Sequence, residues 1–119
     1  MGIYLGMPQG TGPFPAVVVA QAAGGVDEFI QTIVDRLAGE GYAAVAPDLY
    51  HRTTVEIEKA TGKTRRQLLD DTEIVADIDA TVSFLQNHAS VYGQRIGVTG
   101  FCMGGRVTWL AAATHPVFK

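Results

Sequence analysis

Apolar positions along this 119-residue chain follow two spacings. A continuous run occurs at 16–20 (AVVVA), and 42–50 (YAAVAPDLY, running into a loop at Pro47) and 95–100 (RIGVTG) read as two further buried strands. Such runs suit parallel strands covered on both faces. The stretches between them carry helical spacing. Within residues 27–39, Phe29, Ile30, Ile33, Val34 and Leu37 fall on one helical face, with Asp27 placed as N-cap and Gly41 as stop. Residues 66–87 predict a long helix with Leu68, Leu69, Ile74, Val75, Ile78, Val82 and Leu85 mostly on one side. Its solvated side is expected to carry Asp70, Asp71, Glu73, Asp77 and Asp79. A further helix is expected over residues 103–114.

Weaker signals fill the gaps. Ile3-Tyr4-Leu5 predicts a short strand closed by Pro8, and the Gly/Pro-rich residues 9–15 predict a turn. Residues 51–63 are polar and aperiodic and read as an excursion loop with room for a helical turn; Tyr92-Gly93 reads as a turn. There are no internal repeats or linkers. Strands alternating with helices argue one α/β domain over residues 1–119, a mostly parallel sheet with right-handed crossovers and flanking helices.

Composition adds limits. The chain is 47% hydrophobic and 18% charged, which fits either an ordinary buried core or a surface that expects a partner or a missing segment. With a net charge of −3 and no basic cluster beyond Lys63-Thr64-Arg65-Arg66, nucleic-acid binding has little electrostatic support. A single Cys cannot form an internal disulfide, which fits a reducing compartment. No apolar run reaches membrane-span length, and the start, MGIYLGMPQG, lacks a signal-peptide layout. A cytoplasmic protein without membrane, metal or cofactor is the expectation.

The chemistry concentrates at that one Cys. Gly100-x-Cys102-x-Gly104 matches a nucleophile elbow with Cys in the Ser position. A nucleophile at a sharp strand-to-helix bend needs small residues two positions before and after it, where side chains would meet the strand and helix. The helix beginning there points free N–H groups and its positive dipole end at the sulfur, which favours the thiolate. The N–H of Met103 would face a developing oxyanion. The alternative is a small buried hydrophobe, the usual fate of a lone Cys; its glycine flanks, with a strand before and a helix after, favour the nucleophile position.

GFCMGG resembles the cysteine elbow of the dienelactone hydrolases, a family of the α/β-hydrolase fold. Residues 13–52, PFPAVVVAQAAGGVDEFIQTIVDRLAGEGYAAVAPDLYHR, are similar to that family's first core strand, oxyanion loop, first helix and next strand. DIDATVSFLQNH followed by RIGVTGFCMGG resembles its pre-elbow helix and elbow. The resemblance implies a partial α/β-hydrolase, the N-terminal half without the C-terminal strands. It also implies a hydrolase of small esters or lactones acting through a Cys102 thiolate and a thioester, with the backbone N–H of Ala23 as second oxyanion donor. Two departures stand out. Ala22 occupies the position where the family carries a Glu that takes part in activating the thiol, and the family's triad Asp and His lie beyond the elbow, outside these 119 residues.

Three histidines are available as stand-in bases. His115 lies at the far end of the helix the elbow begins, about 20 Å away at roughly 1.5 Å per residue. His88 follows the preceding helix, at the strands' amino ends. His51 is the candidate at the carboxyl edge, with an exposed loop residue as the alternative. Asp48, on the same edge, is expected to receive loop N–H groups. Arg52, with Arg65 and Arg66 behind it, falls where the family draws an arginine to hold a substrate carboxylate.

RIGVTG would have an unpaired edge, and the helix bearing Trp109 and Leu110 would lose cover, so a homo-oligomer or a completing chain is expected. Three readings of function remain: an enzyme active once completed, a non-catalytic binding or interaction module on the same scaffold, and a truncated gene product.

Overall fold

The computed structural model describes residues 2–21, 24–52, 55–64, 67–100, 103–115 and 118, with residues 55 and 103–106 by backbone alone. In chain order the elements are β1 (Ile3–Gly6), β2 (Phe14–Ala20), α1 (Glu28–Gly39), β3 (Ala43–Pro47), α2 (Val55–Thr61), α3 (Asp71–Gln86), β4 (Val91–Gly100) and α4 (Met103–Thr114). They build one mixed sheet in the order β1-β3-β2-β4. β2 runs parallel to both β3 and β4, and β1 is antiparallel to β3 at the other margin.

In β2 and β3 the apolar runs are explained by two covered faces, whereas in β4, expected to be covered likewise, only Val91 and Ile96 are buried because no helix among the described residues covers its α1 side. In β2, Val18 and Val19 point to opposite sides, as the strand period requires, and both are fully buried. Val19 joins Ala44, Ala46, Ile30 and Val34 under α1. Val18 joins Val45, Ile74, Ile78, Leu85, Ile96, Val107 and Ala111 under α3 and α4. Alanines at 43, 44 and 46 keep β3 thin, so helices on both faces pack close to the sheet. Asp27 caps α1 by accepting from the Ile30 N–H at 3.1 Å. Gly41, at φ 98°, then turns the chain into β3, a left-handed conformation natural to glycine.

Two element expectations are corrected, and a third is filled in. The long helix starts at Asp71 rather than at residue 66, because the Asp70 side chain takes the N-cap role, accepting from the Thr72 N–H at 3.0 Å. Leu69, before the cap, still packs against the core without being helical. Tyr92-Gly93 lies inside β4: Phe14 pairs with Val91 and Ala16 with Ile96, so residues 92–95 bulge out of register and look like a turn in sequence. The excursion loop contains the short helix α2.

β4 is the last full strand of the sheet, as expected for RIGVTG, and beyond it Phe118 makes a parallel bridge to Ile96. On α4, Trp109 is 73% exposed, whereas Leu110 is partly covered by the core. Among the described residues no helix is long and apolar enough to cross a membrane.

Candidate active site

Because β2, β3 and β4 are parallel, their carboxyl ends share one edge, the edge at which open α/β sheets place ligands. Four segments meet there. β2 leads into Gln21, which is fully buried; its Oε1 accepts the Leu49 N–H at 2.8 Å and ties the end of β2 to the segment after β3. The Gln21 Nε2 has no hydrogen-bond partner among the described residues. β3 leads into Asp48, whose Oδ1 accepts the Tyr50 N–H at 2.9 Å, the expected local turn. Leu49 and Tyr50 then turn inward and are 2% exposed, leaving His51 and Arg52 at the rim. On the α1 side of this edge lies an open cavity of about 390 Å³ lined by Tyr4, Gly24, Gly25, Gln31 and Asp48, among others.

The fourth segment is the first half of α3. Asp77 is 4% exposed, not on a solvated face as the charge pattern suggested. Its carboxylate receives three donors. Arg52 grips it in a fork, NH1 on Oδ2 at 2.8 Å and NH2 on Oδ1 at 2.9 Å. His51 Nε2 lies 3.1 Å from each oxygen. Arg52 Nε also faces Glu73 Oε2 at 3.6 Å. The hydrogen bonds to Asp77, helped by the charges of Asp77 and Glu73, raise the guanidinium above its ordinary value despite partial burial. The fork thus holds Asp77 with two of the five N–H donors of the guanidinium.

β4 ends at Gly100 and α4 starts at Met103. The strand-to-helix bend that an elbow needs therefore has room for two residues only, and the helix opens at the same edge. Cys102 itself lies outside the described residues, as do Ala22 and Ala23, so the nucleophile and the second oxyanion donor are known by chain position alone. Arg65 and Arg66 also lie outside them. Met103 is the first residue of α4, where its N–H has no intrahelical acceptor.

The other histidines are engaged elsewhere. His115 follows α4; its Nε2 is 3.3 Å from Asp79 Oδ1 and its Nδ1 is 2.9 Å from Thr114 Oγ1. His88 follows α3 and accepts the Ser90 N–H at 3.1 Å. No cluster of three or more potential metal-ligating side chains occurs among the described residues.

Sequence reasoning missed Asp77 and Gln21. Asp77 had a signal: it sits three residues after Ile74, one before Ile78 and four before Thr81, all buried, so it falls inside the apolar stripe. Two basic side chain types in the segment that follows β3, His51 and Arg52, were the complementary half of that signal. Gln21 had none, because a polar residue ending a buried strand looks like the start of a loop.

The family model of the dienelactone hydrolase family matches residues 1–119. A protein of Methylorubrum extorquens, provisionally named a carboxymethylenebutenolidase, is 40% identical over 98% of this chain and 41% of its own length. A similarly named protein of Escherichia coli K12 is 42% identical over 93% of this chain and 42% of its own length. This chain thus spans less than half the length of these curated relatives. Among solved structures, a Klebsiella pneumoniae protein provisionally named a dienelactone hydrolase aligns with a TM-score of 0.80 at 32% identity, over 100% of this chain and 58% of that one. A dienelactone-hydrolase-like promiscuous phosphotriesterase from metagenomic libraries aligns with a TM-score of 0.72 at 26% identity, over 92% of this chain and 46% of that one.

Proposed function

This chain belongs to the dienelactone hydrolase family, and from that premise we propose that it supplies the nucleophile half of a cysteine-dependent hydrolase of small esters or lactones. The observation that carries the reading is the junction of β4 and α4: Gly100 ends a parallel strand and Met103 opens a helix at the carboxyl edge, with Cys102 between them in sequence.

In this reading the Cys102 thiolate, favoured by the helix N-terminus, attacks the substrate carbonyl carbon. The N–H groups of Met103 and Ala23 receive the oxyanion. The alcohol, or the ring oxygen of a lactone, leaves, and water hydrolyses the thioester. The relatives are more than twice as long, so the completed activity is assigned to the sheet with further strands added. The free edge of β4, where Phe118 already approaches Ile96 in parallel, is the place for them, whether they come from a continuation, a second copy or a completing chain.

The test is hydrolysis of p-nitrophenyl acetate and of a simple enol lactone, wild type against Cys102→Ser. The proposal expects a burst of phenolate with a covalent acetyl group on Cys102, and loss of both in the variant. Equal rates for the two proteins would leave only the scaffold without its chemistry.

A further inference from the structure

Among the described residues two apolar features stand uncovered, one on each side of the sheet. On the α3 side, Trp109 projects from α4 at 73% exposure, the most of any large apolar residue described. Ala112 and Ala113, three and four positions on, share its helical face and are also exposed. On the α1 side, a groove of about 560 Å³ follows β4, lined by Val17, Ile96, Gly97, Tyr42, Tyr92 and Arg95 among others. We propose that these surfaces are the two halves of one interface: the Trp109 face of one copy of this chain docks in the β4 groove of the next.

The groove suits an indole. Its floor lacks a side chain at Gly97, where an added Cβ would meet no heavy atom within 4 Å. Tyr42 and Tyr92 are 40% and 43% exposed, so each ring offers apolar area that is still in water. A covered Trp side chain buries about 150–250 Å². Trp, Tyr and Arg are the residues that most often carry the energy of an interface, and they pair with one another across it. The small Ala112 and Ala113 let the α4 backbone come close to the sheet as the indole enters.

Charge selects the orientation and the partner. Arg95 is the charged residue of the groove lining. Its guanidinium lies 5.8 Å from the Tyr92 ring centroid, and among the described residues no carboxylate pairs with it. The opposite side of the molecule has the opposite sign. α3, which packs against α4, holds no Lys or Arg and carries Asp71, Glu73 and Asp79. Asp79 is 73% exposed and stands against His115, the residue after α4. Groove against groove would oppose Arg95 to Arg95, and α4 against α4 would oppose two acidic surfaces. Only α4 against groove is attractive, and it also lets the flat guanidinium lie on the indole face. Both complementary halves belong to this chain, so the partner they fit is a second copy.

The halves cannot meet within one molecule. Val107 and Ala111 hold α4 over Ile96 on one face of the sheet, and Val17 turns to the α1 face. The contact is therefore head-to-tail. Each added copy leaves a free Trp109 at one end and a free groove at the other, so assembly continues with concentration unless the rotation per copy closes a ring.

Trp109 is the chain's only Trp, so its fluorescence reports on the interface alone. Raising the full chain from nanomolar to high micromolar concentration is expected to move the emission to the blue and to protect it from iodide quenching, in step with growth of the species in sedimentation velocity. An indole that stays exposed at every concentration would overturn the proposal and leave the groove to a different chain. Two variants each keep one half. Trp109→Ala retains the groove and Gly97→Lys retains the indole; both positions are open, so each variant is expected to fold and to remain single. Mixed in equal amounts they are expected to form a pair and to grow no further, with the emission of the Gly97→Lys chain moving to the blue. Arg95→Glu, a second groove variant, should self-associate about tenfold more weakly than wild type. Growth of Trp109→Ala or Gly97→Lys alone, a mixture that stays unpaired, or undiminished association in Arg95→Glu would overturn the proposal.

Discussion

Arg52 and Asp77 meet fork to carboxylate, at 2.8 and 2.9 Å, across the gap between the loop after β3 and the second turn of α3. The two are unequally placed: the Asp77 side chain is 6% exposed and that of Arg52 38%. The contact therefore pins a rim loop to a buried anchor, and its two halves are not equivalent in energy.

Removing the exposed half should cost more than removing the buried one. Arg52→Ala leaves a buried carboxylate with His51 as its remaining side-chain partner among the described residues, a loss of about 2–3 kcal/mol after allowing for the partial exposure of the pair. Asp77→Ala leaves the side chains of Arg52 and His51 free to turn to water, plus a small void, about 1–2 kcal/mol. Urea denaturation of both variants checks the order. Arg52→Lys, which replaces a two-point grip by a point charge, should fall between wild type and Arg52→Ala.

Gln21 offers the opposite case. Its Oε1 satisfies the Leu49 N–H while its own Nε2 is buried and has no partner among the described residues. Replacement by methionine, similar in length, removes the acceptor and the orphan donor together, exchanging one unsatisfied group for another. The expected change is within about 1 kcal/mol, measured by the urea midpoint. A loss well above that would mean that the Gln21 amide serves a partner beyond Leu49.

Much of this fold is legible in the sequence where burial acts on both faces of an element. β2 and β3 are read directly because Val18, Val19 and Val45 must all be apolar whichever way they point. α1 is read from its stripe and its Asp27 and Gly41 boundaries. Legibility fails where geometry depends on a distant partner. Residues 92–95 look like a turn because the bulge that keeps them in β4 is set by the register with β2. Leu69 extends the helical pattern past the cap because a core contact needs an apolar residue, not a helical one. The elbow expectation came from a pattern of glycines around one Cys, at a place where β4 ends and α4 begins. The Asp77 cluster was not, because a charge inside an apolar stripe is intelligible only once Arg52 and His51 are brought across from another segment.

Tyr4 gives a prediction with a definite sign. Its phenol donates to Asp35 at 3.0 and 3.1 Å, linking β1 to α1 on the surface. Ionising it would place two negative charges together and lose that bond, so its pKa is raised above 10.0, first by the hydrogen bond and then by burial and the charge of Asp35. A pKa raised in the folded state contributes stability that is present below the unfolded value and is lost as pH rises through the folded one. Asp35→Asn should bring the Tyr4 component of the alkaline absorbance titration down to the ordinary tyrosine range, and Tyr4→Phe should remove that component.

The uncovered face of β4 sets up the last expectation. α1 covers the β2–β3 side of the sheet, and Ile96 and Val98 turn to the opposite face under α3 and α4, which leaves Gly97 on the α1 side. A Cβ placed at Gly97 meets no heavy atom within 4 Å. Beside it lies a groove of about 560 Å³ that includes Val17, Tyr42, Tyr92 and Arg95, with Tyr42 and Tyr92 at 40% and 43% exposure. An apolar groove next to a strand edge promotes association, so gel filtration at micromolar concentration should show a species larger than one chain. Gly97→Lys places a charge in that open space without a clash and without demanding an unusual backbone angle. It should shift the elution toward one chain while leaving the urea midpoint near that of wild type. An unchanged large species in Gly97→Lys would locate the association on another surface, with the 73% exposed Trp109 of α4 the next residue to substitute.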